Sequence, residues 1–142
     1  MNAAHLDSQS LPLSDAFAGD CMEIEVAFTL ETAAAVGIRV RRSADGKAAG
    51  EIVYTQGNGL FSVGSAGAPI GRRKQVRMRA FLDKGVVEAF ANGGDAAIFA
   101  PLKAGPSDLG VEVFARGGKA QLDSLRAWPL KPARMSLERF HV

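Results

Sequence analysis

Apolar side chains on every second residue dominate this chain. From residue 22 onward, Met22, Ile24, Val26, Phe28 and Leu30 alternate with Glu23, Glu25, Ala27 and Thr29. That period of two belongs to a strand with one buried face. The stretch 36–41 repeats it, with Ile38 and Val40 expected inward and Arg39 and Arg41 outward. Glu23 and Glu25 are then expected near Arg39 and Arg41 on the next strand, each opposed pair adding about 0.2–1 kcal/mol. Further short strands are predicted over 51–55, 60–63, 76–82, 86–91, 96–100, 110–115 and 120–130. Turns at Asp45-Gly46, Gln56-Gly57-Asn58-Gly59, Asp83-Lys84-Gly85, Asn92-Gly93-Gly94-Asp95 and Arg116-Gly117-Gly118-Lys119 separate them. Glycine in these turns supplies the positive φ that tight hairpins need. A helical period is present only in the first fifteen residues and over 133–140. Short strands with turns at this spacing make the chain all-β, an antiparallel two-sheet β-sandwich.

The 142 residues suit one domain, read as an N-terminal arm (1–12), a sandwich (13–131) and a C-terminal tail (132–142). One cysteine, Cys21, excludes disulfide stapling and a thiolate metal cage. No apolar run approaches the roughly 20 residues of a membrane span. Residues 1–10 lack the pattern of a secretion signal, so an exported form would need one outside this chain. A net charge of +2 is too mild to call for nucleic acid or membrane partners. The two histidines, His5 and His141, sit at the extremes in segments that look frayed, which disfavours a Ser-His-Asp triad or a histidine metal site. No phosphate-binding loop motif is present. The glycine-rich stretch 64–71 reads as a turn or long loop and not as a ligand cradle. Neither a cofactor nor a metal is expected.

The hairpin across Asp83-Lys84-Gly85 carries the functional signal. A two-residue turn at Lys84 and Gly85 sets Asp83 against Val86, Phe81 against Glu88, Arg79 against Phe90 and Arg77 against Asn92. One face, with Met78, Ala80, Leu82, Val87, Ala89 and Ala91, is apolar and belongs to the core. The other carries Arg77, Arg79, Phe81, Asp83, Val86, Glu88, Phe90 and Asn92, of which Arg79, Phe81, Asp83, Glu88, Phe90 and Asn92 are the candidate site residues. Guanidinium and carboxylate groups hydrogen-bond hydroxyls, and rings cover the C–H side of a sugar, so this face is a candidate carbohydrate-binding site. The plainer alternative is an Arg79–Glu88 surface ion pair over two partly covered rings, worth about 0–1 kcal/mol. Residues 87–96 and 111–120 match at seven of ten positions, which reads as two similar strand–turn units.

From residue 76 the chain resembles the C-terminal β-sandwich of glycoside hydrolase family 32, which contains invertases, levanases and inulinases. The hairpin segment 76–94 is similar to the family pattern L-R-I-F-V-D-R-S-S-V-E-V-F-V-N-D-G. The stretch 109–120 with Leu125-Arg126-Ala127-Trp128-Pro129-Leu130 resembles its closing strands. The family's D-R-S-S turn is Asp83-Lys84-Gly85-Val86 here, without the arginine and both hydroxyls. The resemblance implies a concanavalin A-like jelly roll without the catalytic propeller. Its role would be to bind β-fructan or other carbohydrate, or to stabilise a catalytic propeller domain. A propeller-packing patch is expected around Phe61 or Trp128, and burial of Trp128 in a core or interface is favoured over sugar stacking. Two alternatives stand beside this. One is a stand-alone sandwich glycosidase using Glu88 with Asp83 or another carboxylate. The other is a polyanion-binding module using Arg39, Arg41, Arg42, Arg72, Arg73, Lys74, Arg77 and Arg79.

Overall fold

The computed structural model describes residues 4–13, 19–46 and 49–130. The tail from residue 131, with His141 and the stretch 133–140, lies outside them. The described chain forms strands β1 (Ala4–Asp7), β2 (Ser10–Pro12), β3 (Cys21–Leu30), β4 (Ala35–Arg42), β5 (Gly50–Thr55) and β6 (Leu60–Val63). They are followed by β7 (Ala66–Pro69), β8 (Gln75–Asp83), β9 (Val86–Ala91), β10 (Ala96–Pro101), β11 (Gly110–Arg116) and β12 (Lys119–Pro129). Two six-stranded sheets result, in the orders β1-β12-β3-β8-β9-β10 and β2-β11-β4-β5-β6-β7. Every pairing is antiparallel. The chain is thus an all-β, two-sheet sandwich.

Period two explains the layering. In β8 the burial alternates strictly, with Val76, Met78, Ala80 and Leu82 inward and Gln75, Arg77, Arg79 and Phe81 outward. The inner faces of both sheets meet in one core, where Phe28, Tyr54, Phe61, Ile24 and Met78 are fully buried. Each large apolar side chain buried there stabilises the fold by about 1.5–3 kcal/mol. Tyr54 brings a hydroxyl inside and satisfies it twice: it donates to the Gly71 carbonyl at 2.8 Å and accepts from the Arg73 amide at 2.7 Å. This ties the β7–β8 connection to β5 and sets the point where β8 enters the first sheet. Phe61 is therefore core and contributes nothing to an exposed patch.

The fold departs from the sequence expectations at four places. Residues 4–7 and 10–12, where an arm with a helical period was expected, pair with β12 and with β11. Leu6 is buried in the core, and ladder pairing with a strand more than a hundred residues away outweighs weak local preference. The glycine-rich stretch 64–71 contains β7, paired with β6 from Leu60 to Val63. Arg41, expected outward, is buried with φ 51°. The β4–β11 register shifts between Gly110 and Glu112, and such a bulge redirects a side chain. Arg41 then donates to the carbonyls of Asp108 (2.6 Å), Gly105 (2.8 Å) and Lys84. Finally, Glu23 and Glu25 do not meet Arg39 and Arg41, because β3 and β4 belong to different sheets.

Candidate functional site

The predicted hairpin forms in the predicted register. Arg79 pairs with Phe90, Phe81 with Glu88 and Asp83 with Val86. One register position further, the Arg77 amide donates to Asn92 Oδ1 (2.9 Å) and the Asn92 amide donates to the Arg77 carbonyl (2.8 Å). Lys84 turns the chain in the left-handed region at φ 53°, and Arg41 holds its carbonyl from below. The hairpin tip is thereby tied to the 102–108 connection.

The neighbouring strands complete the outer face. β3 and β12 lie on one side of the hairpin and β10 on the other. Across the five strands β12, β3, β8, β9 and β10, the register places Trp128, Glu23, Phe81, Glu88 and Phe99 in one row. The next row is Arg126, Glu25, Arg79, Phe90 and Ala97. Phe99 is 71% exposed and Trp128 37%, so rings stand open at both margins of the first row. Within this chain Trp128 is only partly buried and does not belong to the core.

Arg79 pairs with Glu23 and not with Glu88. Its Nη2 and Nε lie 2.5 and 2.6 Å from Glu23 Oε2. Glu23 is nearly buried while half of the Arg79 side chain stays in solvent. The guanidinium is fixed 5.0 Å from the centre of the Phe81 ring, a cation–π geometry. Phe81 in turn meets Phe90 edge to face, with centroids 6.0 Å apart at 89°. Glu25 receives Arg126 at 2.9 Å and Arg77 at 3.9 Å. Arg79, Phe81 and Phe90, with Glu25, Arg77 and Gly93, line a cavity of about 450 Å³. That volume falls within the ~300–1,000 Å³ usual for small-molecule sites.

Three expected residues lie elsewhere on the hairpin. Asn92 lines an adjoining cavity of about 360 Å³ with Arg73, Gln75, Arg77, Asp123 and Ser124. Glu88 is exposed in register between Phe81 and Phe99, outside the first cavity. Asp83 stands at the tip, where the Cys21 thiol donates to it at 4.0 Å. Burial, with Asp83 and Asp20 alongside, pushes the Cys21 pKa up against a weaker opposing effect of Lys84, so the thiol is a poor nucleophile. Glu23, Glu25 and Phe99 were missing from the expected site, and Arg77 was expected on this face but not in the site. Phe99 had a usable signal, since the turn at 92–95 predicts the pairing that puts it opposite Glu88. Glu23 and Glu25 had none, because more than fifty residues separate them from Arg79.

The outer face of the second sheet is differently built. Phe114 is buried there with Ala35 and Val53, under the guanidinium groups of Arg39 (4.1 Å) and Arg116 (5.0 Å). Arg39 bridges Glu51 and Glu112, each at 2.7 Å, and Arg42 meets Glu112 at 2.9 Å. Burial opposes the Arg39 charge, but its hydrogen bonds to Glu51 and Glu112 outweigh that and raise its pKa. Among the described residues no three His, Cys, Asp or Glu side chains come together as a metal site.

Comparison with known proteins gives a consistent result. Residues 2–129 match the sequence profile of the family described as "Glycosyl hydrolases family 32 C terminal". Among solved structures, the exo-inulinase from Aspergillus awamori aligns with TM-score 0.71 at 16% identity, covering 89% of this chain and 28% of that one. The fructosyltransferase from A. japonicus aligns with TM-score 0.73 at 12% identity, covering 91% and 25%. Fructan 1-exohydrolase IIa from Cichorium intybus aligns with TM-score 0.71 at 16% identity, covering 94% and 36%. The present chain therefore spans between a quarter and just over a third of the length of these proteins. No curated protein matches the sequence significantly.

Proposed function

The chain belongs to the glycosyl hydrolases family 32 C-terminal family, and from that membership we propose a non-catalytic accessory module that holds β-fructosides on the outer face of its first sheet. The observation that carries this reading is the cavity beside Arg79, Phe81 and Phe90. Glu23 holds the Arg79 guanidinium in place while half of that side chain remains open to solvent. A preorganised donor of this kind hydrogen-bonds a sugar hydroxyl without first losing conformational freedom. The neighbouring rings cover the apolar face of the same sugar. In this reading Glu88 accepts from hydroxyls between Phe81 and Phe99, Asn92 contributes its amide at the hairpin's far end, and Asp83 acts at the tip.

A second reading also has support. Three rings, Trp128, Phe81 and Phe99, stand in one row across this face, with Phe99 and Trp128 open to solvent at its margins, and interfaces are enriched in such aromatic side chains. The catalytic propeller of a fructoside-active enzyme is the partner it would take. The two readings part in one experiment. The chain is titrated calorimetrically with fructose, levan and inulin, next to a Glu23→Gln/Arg79→Ala double variant that remains folded. Heat with the parent and none with the variant supports the site. Equal binding by both sinks the site, and no heat from any fructan overturns the binding reading and leaves propeller packing.

A further inference from the structure

We propose that the two cavities on either side of Arg77 are consecutive subsites, so that the module takes a carbohydrate chain and not a single sugar. The inference rests on the carbohydrate reading above and names the ligand's length class. Arg77 lines both cavities. Its backbone is pinned to Asn92 by two hydrogen bonds, while its guanidinium meets Glu25 only at 3.9 Å and its side chain is 63% exposed. Arg79 and Arg126, by contrast, have close carboxylate partners. Arg77 thus has donors available on the wall the cavities share, which is where the linkage between two sugar units would cross.

The two sides differ in chemistry. Phe81 and Phe90 give the first cavity its rings. Gln75, Asn92, Asp123 and Ser124 make the second a hydrogen-bonding site. Within it, Asn92 Nδ2 is buried with no hydrogen-bond partner among the described residues. The amide orientation is set, because Oδ1 accepts from the Arg77 amide. A buried donor left unpaired is costly, and a slight rotation of the Asn92 side chain toward the cavity it lines would present it to a ligand hydroxyl. A monosaccharide stacked on the rings leaves that donor unsatisfied, whereas a longer chain reaches it.

Affinity should therefore rise with chain length. Calorimetric titration of the chain with fructose and with inulin-type oligosaccharides of two to five units is expected to show dissociation constants falling about tenfold or more, the step that corresponds to ~1.4 kcal/mol. Asn92→Asp keeps the acceptor for the Arg77 amide and tolerates the left-handed backbone at φ 49° while deleting the Nδ2 donor. It should collapse the roughly tenfold gap between the oligosaccharides and fructose. Ser124→Ala, a second variant, should flatten the length dependence in the same direction. Equal affinity for fructose and oligosaccharides in the parent overturns the two-subsite arrangement and leaves the single-site reading standing. Length dependence that survives in both variants overturns it as well. No binding of any sugar removes the carbohydrate reading and this inference together.

Discussion

Glu23 shows how one side chain can organise a surface. Its carboxylate is nearly buried and is served by two nitrogens of a single arginine. Arg79→Ala would leave that charge inside without its partner, at an expected cost of ~2 kcal/mol in urea unfolding. Glu23→Gln in the same chain should recover most of the loss, because a neutral amide is cheaper to bury. A simple exposed ion pair would predict additive and smaller effects. Cys21 is the other residue whose setting predicts behaviour. Burial and the nearby Asp83 and Asp20 raise its pKa, so less thiolate is present at pH 8 than for free cysteine. A disulfide-exchange reagent followed by absorbance should label it more slowly than glutathione, and the gap should narrow as pH rises past 9. The folded state prefers the neutral thiol, so this group withdraws stability as pH rises through the unfolded pKa.

Among the elements, β4 carries two devices that its alternation conceals. Gly37 faces Phe114 across the β4–β11 ladder, and a Cβ there would lie 2.2 Å from the Ile52 carbonyl oxygen and 2.7 Å from the Phe114 ring. Gly37→Ala should destabilise by about 1–3 kcal/mol through overpacking. Arg41, four residues on, leaves the alternation at the bulge and fastens three carbonyls. A lysine there keeps the charge but not the fork of donors. Arg41→Lys should raise amide hydrogen exchange in residues 102–108 and at the Lys84 tip while β3 stays protected. Uniform acceleration across both sheets would mean that Arg41 supports the global fold and not this connection. The β8–β9 hairpin was the most legible element. Its turn residues, its apolar inner face and its register all lie within about twenty residues of one another, so local chemistry suffices.

At the level of the whole molecule, the arginine clusters that suggested polyanion binding are largely spent. Arg41 is buried on carbonyls, Arg39 and Arg42 share Glu112, Arg73 meets Asp95 at 2.7 Å and Arg79 meets Glu23. Charge neutralised within the fold releases no counterions from a polyanion. The protein is expected to pass a heparin column at ~0.15 M salt, where remaining surface charges are screened beyond about 8 Å. Retention well above that salt would restore the polyanion reading. The two outer faces also divide the work. The second sheet closes its charges into a network over Phe114, whereas the first leaves rings and guanidinium groups beside open cavities. That difference directs the search for a ligand or partner to the first sheet.

By itself the sequence determined the period-two strands, most turns and the pairing of consecutive strands such as β8 with β9. These depend on side-chain alternation and turn chemistry, both local. Only the tertiary structure decided which sheet each strand joins. It set β3 beside β8 and β12, gave Arg79 to Glu23 in place of Glu88, and drew residues 4–7 and 10–12 into the two sheets. It also turned Arg41 inward. Those outcomes depend on contacts between residues far apart in the chain, where burial of a shared core, and not any neighbouring residue, selects the partner.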